Sequence, residues 1–234
     1  MNHATWVQLH PLSPSRMAIG DFDNNGRDDI VTDFPGYGVW FWNNNTSWTE
    51  LHRLNVSQLA TGNLDGIAGD EVILNFPGQG LWVYRNNSTW SQLHGLNVTT
   101  LLTADIDGSG QADLIVQFPG YGLWSYRNNT TWAPIHPSPV TQVAAGNLDG
   151  TAQADLVVDF GASLGLWTFR NNTTWTQLHS LTAQGLVVGN LDGNGRDDVV
   201  VDFGALGLWV FKNNSTWQSL HALSPGAMTI GRFR

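Results

Sequence analysis

A Trp-x-x-x-His segment recurs six times in this 234-residue chain, as Trp6/His10, Trp48/His52, Trp90/His94, Trp132/His136, Trp175/His179 and Trp217/His221. The spacing is 42 residues, with one step of 43. Four short antiparallel strands cannot bury both faces alone, so a unit of this length must stack on copies of itself. The period, with tryptophan and glycine recurring through strand-like sequence, predicts an all-β fold, a β-propeller of five four-stranded blades.

The second copy shows the plan. Residues 59–64 (LATGNL) read as strand A, followed by an acidic loop, and 72–76 (VILNF) form an apolar strand B. PGQG (77–80) is a turn, 81–85 (LWVYR) alternates as strand C, Asn86-Asn87-Ser88 is a tight hairpin turn, and 89–94 (TWSQLH) is strand D. No helix is required. Full repeats fall at approximately 17–58, 59–100, 101–142, 143–185 and 186–227, within one domain spanning 1–234. An unmatched strand D (5–10) opens the chain and an unmatched strand A (228–233) ends it. A closure strand, a half blade and a contact with another chain, including a homo-oligomer, all stay open for these two.

Each A–B loop gathers acidic and amide side chains. The first, Asp21-Phe22-Asp23-Asn24-Asn25-Gly26-Arg27-Asp28-Asp29, places oxygen donors at positions 1, 3, 5 and 9, glycine at 6 and the Arg27 carbonyl at 7, the pattern a Ca²⁺ ion asks for. The third repeats it with Asp105, Asp107, Ser109, the Gln111 carbonyl and Asp113. The fifth uses Asn190, Asp192, Asn194, the Arg196 carbonyl and Asp198. The second (Asn63, Asp65, Glu71) carries Ile67 and Ala68 where a ligand and the glycine belong, and the fourth (Asn147, Asp149, Thr151, Asp155) carries Ala152 at the glycine position. Calcium affinity is therefore expected to fall from the first loop, to the third and fifth, to the other two. The same residues also form Asx turns that tie a loop together without metal.

Segments such as GDFDNNGRDDIVTDF, ADIDGSGQADLIVQF and GNLDGNGRDDVVVDF resemble FG-GAP/VCBS repeats, the calcium-loop blades of integrin α-type propellers. The resemblance covers nearly the whole chain and implies structural Ca²⁺ and a secreted or cell-surface setting. The tryptophan-rich style is similar to propeller lectins of the Psathyrella velutina type, which implies glycans or glycoproteins as partners. Integrin-like members bind proteins, and other members are spacer modules in large surface proteins, which leaves open for this chain a protein-binding module or a structural one, as a fragment of a longer repeat array. Both remain the alternative to a lectin.

Nothing points to catalysis: no G-x-S-x-G, HExxH or P-loop segment occurs, cysteine is absent, and each histidine recurs once per repeat. A non-catalytic protein is expected. The net charge of −9 disfavours nucleic acid and anionic membranes. No apolar run approaches the ~20 residues of a membrane span, and the opening MNHATWVQLH has neither the charged region nor the apolar core of a secretory leader.

Strand D carries the candidate binding stripe. Simple alternation sets Trp90, Gln92 and His94 on one side, and gives Trp48/His52, Trp132/His136, Trp175/Gln177/His179 and Trp217/His221 in other copies. Aromatic rings stack on the C–H face of a sugar while amides and imidazoles fix its hydroxyls. The strand C tryptophans Trp40, Trp82, Trp124, Trp167 and Trp209 are expected in the core. Tyr37 and Tyr121 sit at the B–C turns beside the histidines.

Overall fold

A computed structural model of the chain describes residues 6–230. These form five four-stranded antiparallel sheets, each with its strands paired in sequence order. The architecture is that of a β-propeller with five blades. Blade 1 holds β1 (Arg16–Gly20), β2 (Asp29–Phe34), β3 (Gly38–Asn43) and β4 (Ser47–His52). Blade 2 holds β5 (Gln58–Gly62), β6 (Glu71–Phe76), β7 (Gly80–Arg85) and β8 (Thr89–His94). Blade 3 comes next with β9 (Thr100–Ala104), β10 (Asp113–Phe118), β11 (Gly122–Arg127) and β12 (Thr131–His136). Blade 4 has β13 (Gln142–Gly146), β14 (Asp155–Asp159), β15 (Leu166–Arg170) and β16 (Thr174–His179). Blade 5 has β17 (Gly185–Gly189), β18 (Asp198–Asp202), β19 (Leu208–Lys212) and β20 (Thr216–His221). The only helical turn among the described residues is a 3-10 turn at Gly204–Leu206. Two compact units divide the chain, Met1–Thr61 with Ala68–Asn97, and Gly62–Ile67 with Val98–Arg234.

The turns are set by their residues. Every C–D hairpin has two asparagines with positive φ, as Asn86 at 48° and Asn87 at 49°, closed by the Ser88 N–H to the Arg85 carbonyl at 2.9 Å. Positive φ at both central positions matches the twist of a two-residue hairpin, and asparagine tolerates it. The Asn-x-[Ser/Thr] sequences at these sites thus have a backbone reason. The 43-residue step is one residue added to the fourth B–C connection, which runs from Phe160 to Gly165.

Each blade has two apolar faces, as its unbroken B strands anticipate. In blade 1, Val31, Val39 and Phe41 point toward blade 2 and pack with its Val72, Leu74 and Phe76. The same core recurs between blades 3 and 4 (Ile115 and Leu123 against Leu156 and Val158) and between blades 4 and 5 (Val157 and Leu166 against Val199 and Val201). We call the face toward the next blade trailing and the opposite one leading. Backbone bonds add to the packing, the N–H of Ala154 donating to the Asp105 carbonyl and that of Asp197 to the Asn147 carbonyl, both at 2.7 Å. A buried polar residue near the end of each B strand holds the D–A connection. Asp33 accepts from the Val56 N–H and Asn55, Gln117 from the Val140 N–H, and Asp159 from Thr182 and the Ala183 N–H.

The two unmatched terminal strands are not formed within the described residues. Residues 6–10 and 228–230 carry no strand. The rest of both segments lies outside the described residues. Both segments still pack: the Trp48 indole donates to the Leu9 carbonyl, and the Met228 and Ile230 side chains lie over Gly185 and Gly189 of β17.

Candidate functional site

Simple alternation fails on strand D, and the failure builds the site. The pairing of β7 with β8 runs Tyr84–Trp90, Trp82–Gln92, then Leu81–His94, so Leu93 is a bulge. One extra residue flips every later side chain of the strand to the other face. The histidine therefore leaves Trp90's side and joins the trailing face. Blades 1, 3, 4 and 5 have the same shift, at Leu51, Ile135, Leu178 and Leu220. The single-sided stripe is thus corrected: a tryptophan meets the histidine of the preceding repeat.

His52 lies 5.5 Å from Trp90 and 4.5 Å from Phe76, ring centre to centre. His136 is 5.3 Å from Trp175 and 4.4 Å from Phe160, and His179 is 5.6 Å from Trp217 and 4.8 Å from Phe203. His10, outside the expected ligand set, makes the same contacts with Trp48 (5.3 Å) and Phe34 (4.4 Å). Trp132 packs against Phe118 and Tyr126 with its ring tilted to both. His221 is exposed.

These groups line shallow pockets. One is bounded by His52, Phe76, Gln79, Trp82 and Trp90. A second, of about 280 Å³, is bounded by His10, Pro11, Leu12, Phe34, Tyr37, Trp40 and Trp48, and a third of equal size by His179, Leu181, Phe203, Leu206, Trp209 and Trp217. Trp82 and Trp167 pack against the blade cores as expected, while Trp40, Trp82 and Trp209, all half-buried, are also pocket walls. Each is held by its indole N–H donating to a B–C turn carbonyl, Trp40 to Tyr37, Trp82 to Gln79 and Trp209 to Leu206. Gln92 and Gln177 donate to the same kind of carbonyl, those of Gln79 and Leu164, which places their amides at the rim.

One hydrogen bond repeats at each of the six histidines of the recurring segment. The Nδ1 of His52 accepts the Leu54 N–H at 3.1 Å, and His10, His94, His136, His179 and His221 accept from the residue two positions on. An accepting Nδ1 puts the proton of a neutral imidazole on Nε2. Burial lowers the pKa of His136, which favours that neutral form. The result is an aromatic trough with one imidazole N–H donor.

The acidic loops and Asn-Asn turns lie at the opposite strand ends. In the third loop, Asp105, Asp107 and Asp113 bring carboxylate oxygens within 4.8 Å of one another. Among the described residues no other loop gathers three such groups. Burial, together with the Asp107 and Asp105 charges, pushes Asp113 up to about 6 against its N–H donors Asn128 and Ile106. Here the residues fit a hard cation: Asp105, Asp107 and Asp113 would hold it, and it would supply the charge their crowding lacks. In the first loop, Asp29 is buried and its Oδ2 has no hydrogen-bond partner, a second feature suited to a cation. Asp21 and Asp23 accept loop and turn donors, from Asn25, Gly26 and Asn44.

Asx turns are present throughout. Arg27, Gln111 and Arg196 give their N–H groups to the side chains of Asn25, Ser109 and Asn194, and the N–H groups of Ile67, Thr151 and Asn194 go to Asp65, Asp149 and Asp192. In the second and fourth loops Asn63 and Asn147 donate their side-chain amides to the carbonyls of Ile67 and Thr151, closing the loop with a donor of its own. Those loops do not fit a cation. Glu71 is buried, and Asp155 is raised by burial with Asp149 adding, opposed by Arg170. In the fifth loop Asn190 accepts from Gly193, while Asp198 accepts from Leu191 and Asn213.

The third loop predicts a pH signature. Because folding raises the Asp113 pKa above its ordinary value of 3.8, the folded state holds the extra proton, and stability in chelator should fall as pH rises from about 4 to about 6. Excess Ca²⁺ should cancel that fall, and Asp113→Asn should flatten the profile in chelator and blunt the calcium response. Melting curves at several pH values test this, and parallel profiles for the two proteins would contradict it.

No family model and no curated protein matches the sequence. Solved structures do. The chain is similar to an Agrocybe aegerita lectin solved for its recognition of non-reducing terminal N-acetylglucosamine, with a TM-score of 0.66 and 19% identity over 89% of this chain and 66% of that one. The BP39L lectin of Burkholderia pseudomallei gives 0.61 and 15%, covering 89% of this chain and 70% of that one. BBS1N in complex with ARL6DN gives 0.61 and 13%, covering 85% and 64%. The chain thus spans just under two thirds of the Agrocybe lectin and of BBS1N. These likenesses establish the propeller fold.

Proposed function

We propose that this protein is a non-catalytic carbohydrate-binding propeller, with shallow sites repeated between neighbouring blades and calcium bracing the first and third loops. The observation that carries it is the recurring trough of histidine, phenylalanine and two tryptophans, with its imidazole proton set on Nε2. The indoles offer the flat apolar surface a pyranose ring stacks on, and Nε2–H and the rim amides of Gln92 and Gln177 offer donors to its hydroxyls. Repetition suits weak sites, since clustered glycans engage several at once. The lectin neighbours support the same class.

A glycan array probed with the full chain, with and without chelator, is expected to give signal on a restricted set of sugars. Chelation should weaken that signal only as far as it lowers stability. Absence of signal from folded protein would favour the second reading, a protein-binding module, which the likeness to BBS1N in its complex with ARL6DN supports.

A further inference from the structure

The chain carries both halves of its own blade–blade interface, one at each end. Leading positions that are fully buried inside the repeat array are open on blade 1. Val72, Leu114, Leu156 and Val199 are each at most 1% exposed, yet their counterpart Ile30 is only half-buried. Beside it on β1, Met17 is 65% and Ile19 62% exposed. The trailing face of blade 5 shows the converse. Phe22, Leu64, Ile106 and Leu148 are at most 4% exposed, while the equivalent Leu191 is 46% exposed.

The two faces also match in detail. On β17 the holes at Gly185 and Gly189 are filled by Met228 and Ile230, and the segment bearing them, Met228-Thr229-Ile230, has the pattern of Met17-Ala18-Ile19. The trailing face of blade 5 therefore already accepts a Met-x-Ile segment, and blade 1 presents an uncovered one.

We propose that the leading face of blade 1 docks on the trailing face of blade 5 in a second copy of this chain, rebuilding the core found between blades 4 and 5. Met17 and Ile19 of one copy take the places of Met228 and Ile230 of the other, while Ile30 and Leu191 become buried. Around Phe34 and Trp48, His221 of the second copy replaces His10. The contact is heterologous, each copy using a different face, so it propagates head to tail unless its rotation closes a ring. The proposal does not rest on the sugar-binding reading, although the docking would rebuild the trough around Phe34 and Trp48.

Sedimentation of the full chain over a range of concentrations tests it. The wild type should exceed monomer mass, increasingly so with concentration. Met17→Glu/Ile19→Glu and Leu191→Glu should each weaken association by roughly a hundredfold or more, because an unpaired carboxylate enters an apolar contact. These side chains are exposed in the single chain, so melting curves should match the parent. Mixed together, the two variants retain one good face each and should form a 1:1 dimer and nothing larger. Met228→Ser/Ile230→Ser, which loosens the internal plug, should strengthen association. A wild type that stays monomeric throughout, association that survives in either variant alone, or a mixture of folded variants that stays monomeric would each overturn the proposal.

Discussion

Trp90→Ala should lose both stability and one binding site, whereas His52→Ala should lose the site at little cost in stability. The Trp90 ring packs on Tyr84 at 4.9 Å and on Phe76 at 6.0 Å, besides facing His52. Truncating a large aromatic in such a setting costs about 3 kcal/mol, the low end of the buried range because Trp90 is half-buried. His52 is also half-buried and gives up one hydrogen bond, to the Leu54 N–H, which water can satisfy, so about 1 kcal/mol is expected. Both variants should leave the other troughs binding, and avidity for a clustered glycan should fall stepwise. Thermal melts and monovalent sugar titrations on the same samples separate the effects. If His52→Ala bound sugar as the wild type does, site for site, the imidazole would have no part in recognition.

Much of this was legible in the chain because repetition amplifies local chemistry. Asn-Asn turns, apolar B strands and acidic loops each repeat in register, so five copies vote on one blade. Boundaries shifted by a residue or two: strand A ends at Gly62, since Asn63 already belongs to the loop. The strand D bulge was not legible. Leu51 and Leu93 sit in sequences that alternate perfectly well without it, and nothing in either residue announces an unpaired position. Missing the bulge put Trp90 and His94 on one face, and it concealed the Phe34, Phe76, Phe160 and Phe203 walls, which come from a different strand. His10 was legible as a repeat member, but only packing against Phe34 and Trp48 gives it a role. The loop ranking favoured the first because its pattern is fullest, yet the third is where the carboxylates converge. Spacing specifies which side chains are available, while the turn's own N–H groups decide where their oxygens point.

The bulge has a cause that a pair of glycine variants can expose. Gly36 and Gly38 have nearly the same backbone, φ of 80° and 79°, and both open the B–C corner of blade 1. Around Gly36 a Cβ would meet nothing within 4 Å, whereas at Gly38 it would press on the His52 carbonyl and lie 2.6 Å from the carbonyl carbon of Arg53. Gly36→Ala should therefore cost only the left-handed strain of a non-glycine residue, about 1–2 kcal/mol. Gly38→Ala adds a backbone collision that cannot be relieved by rotating a side chain. The end of strand D must move outward, carrying His52 away from Phe76 and Trp90. A further loss of about 2 kcal/mol or more is expected, on the scale of overpacking a close-fitted site, together with weakened sugar binding in the trough that holds Trp90. Neither residue lines that trough, and Gly38 meets the backbone of His52 and Arg53, so binding loss in Gly38→Ala alone would mean that the glycine lets the carbonyl approach, the approach holds the bulge, and the bulge delivers the histidine. Equal behaviour of the two variants in melting and binding would break that chain at its first link.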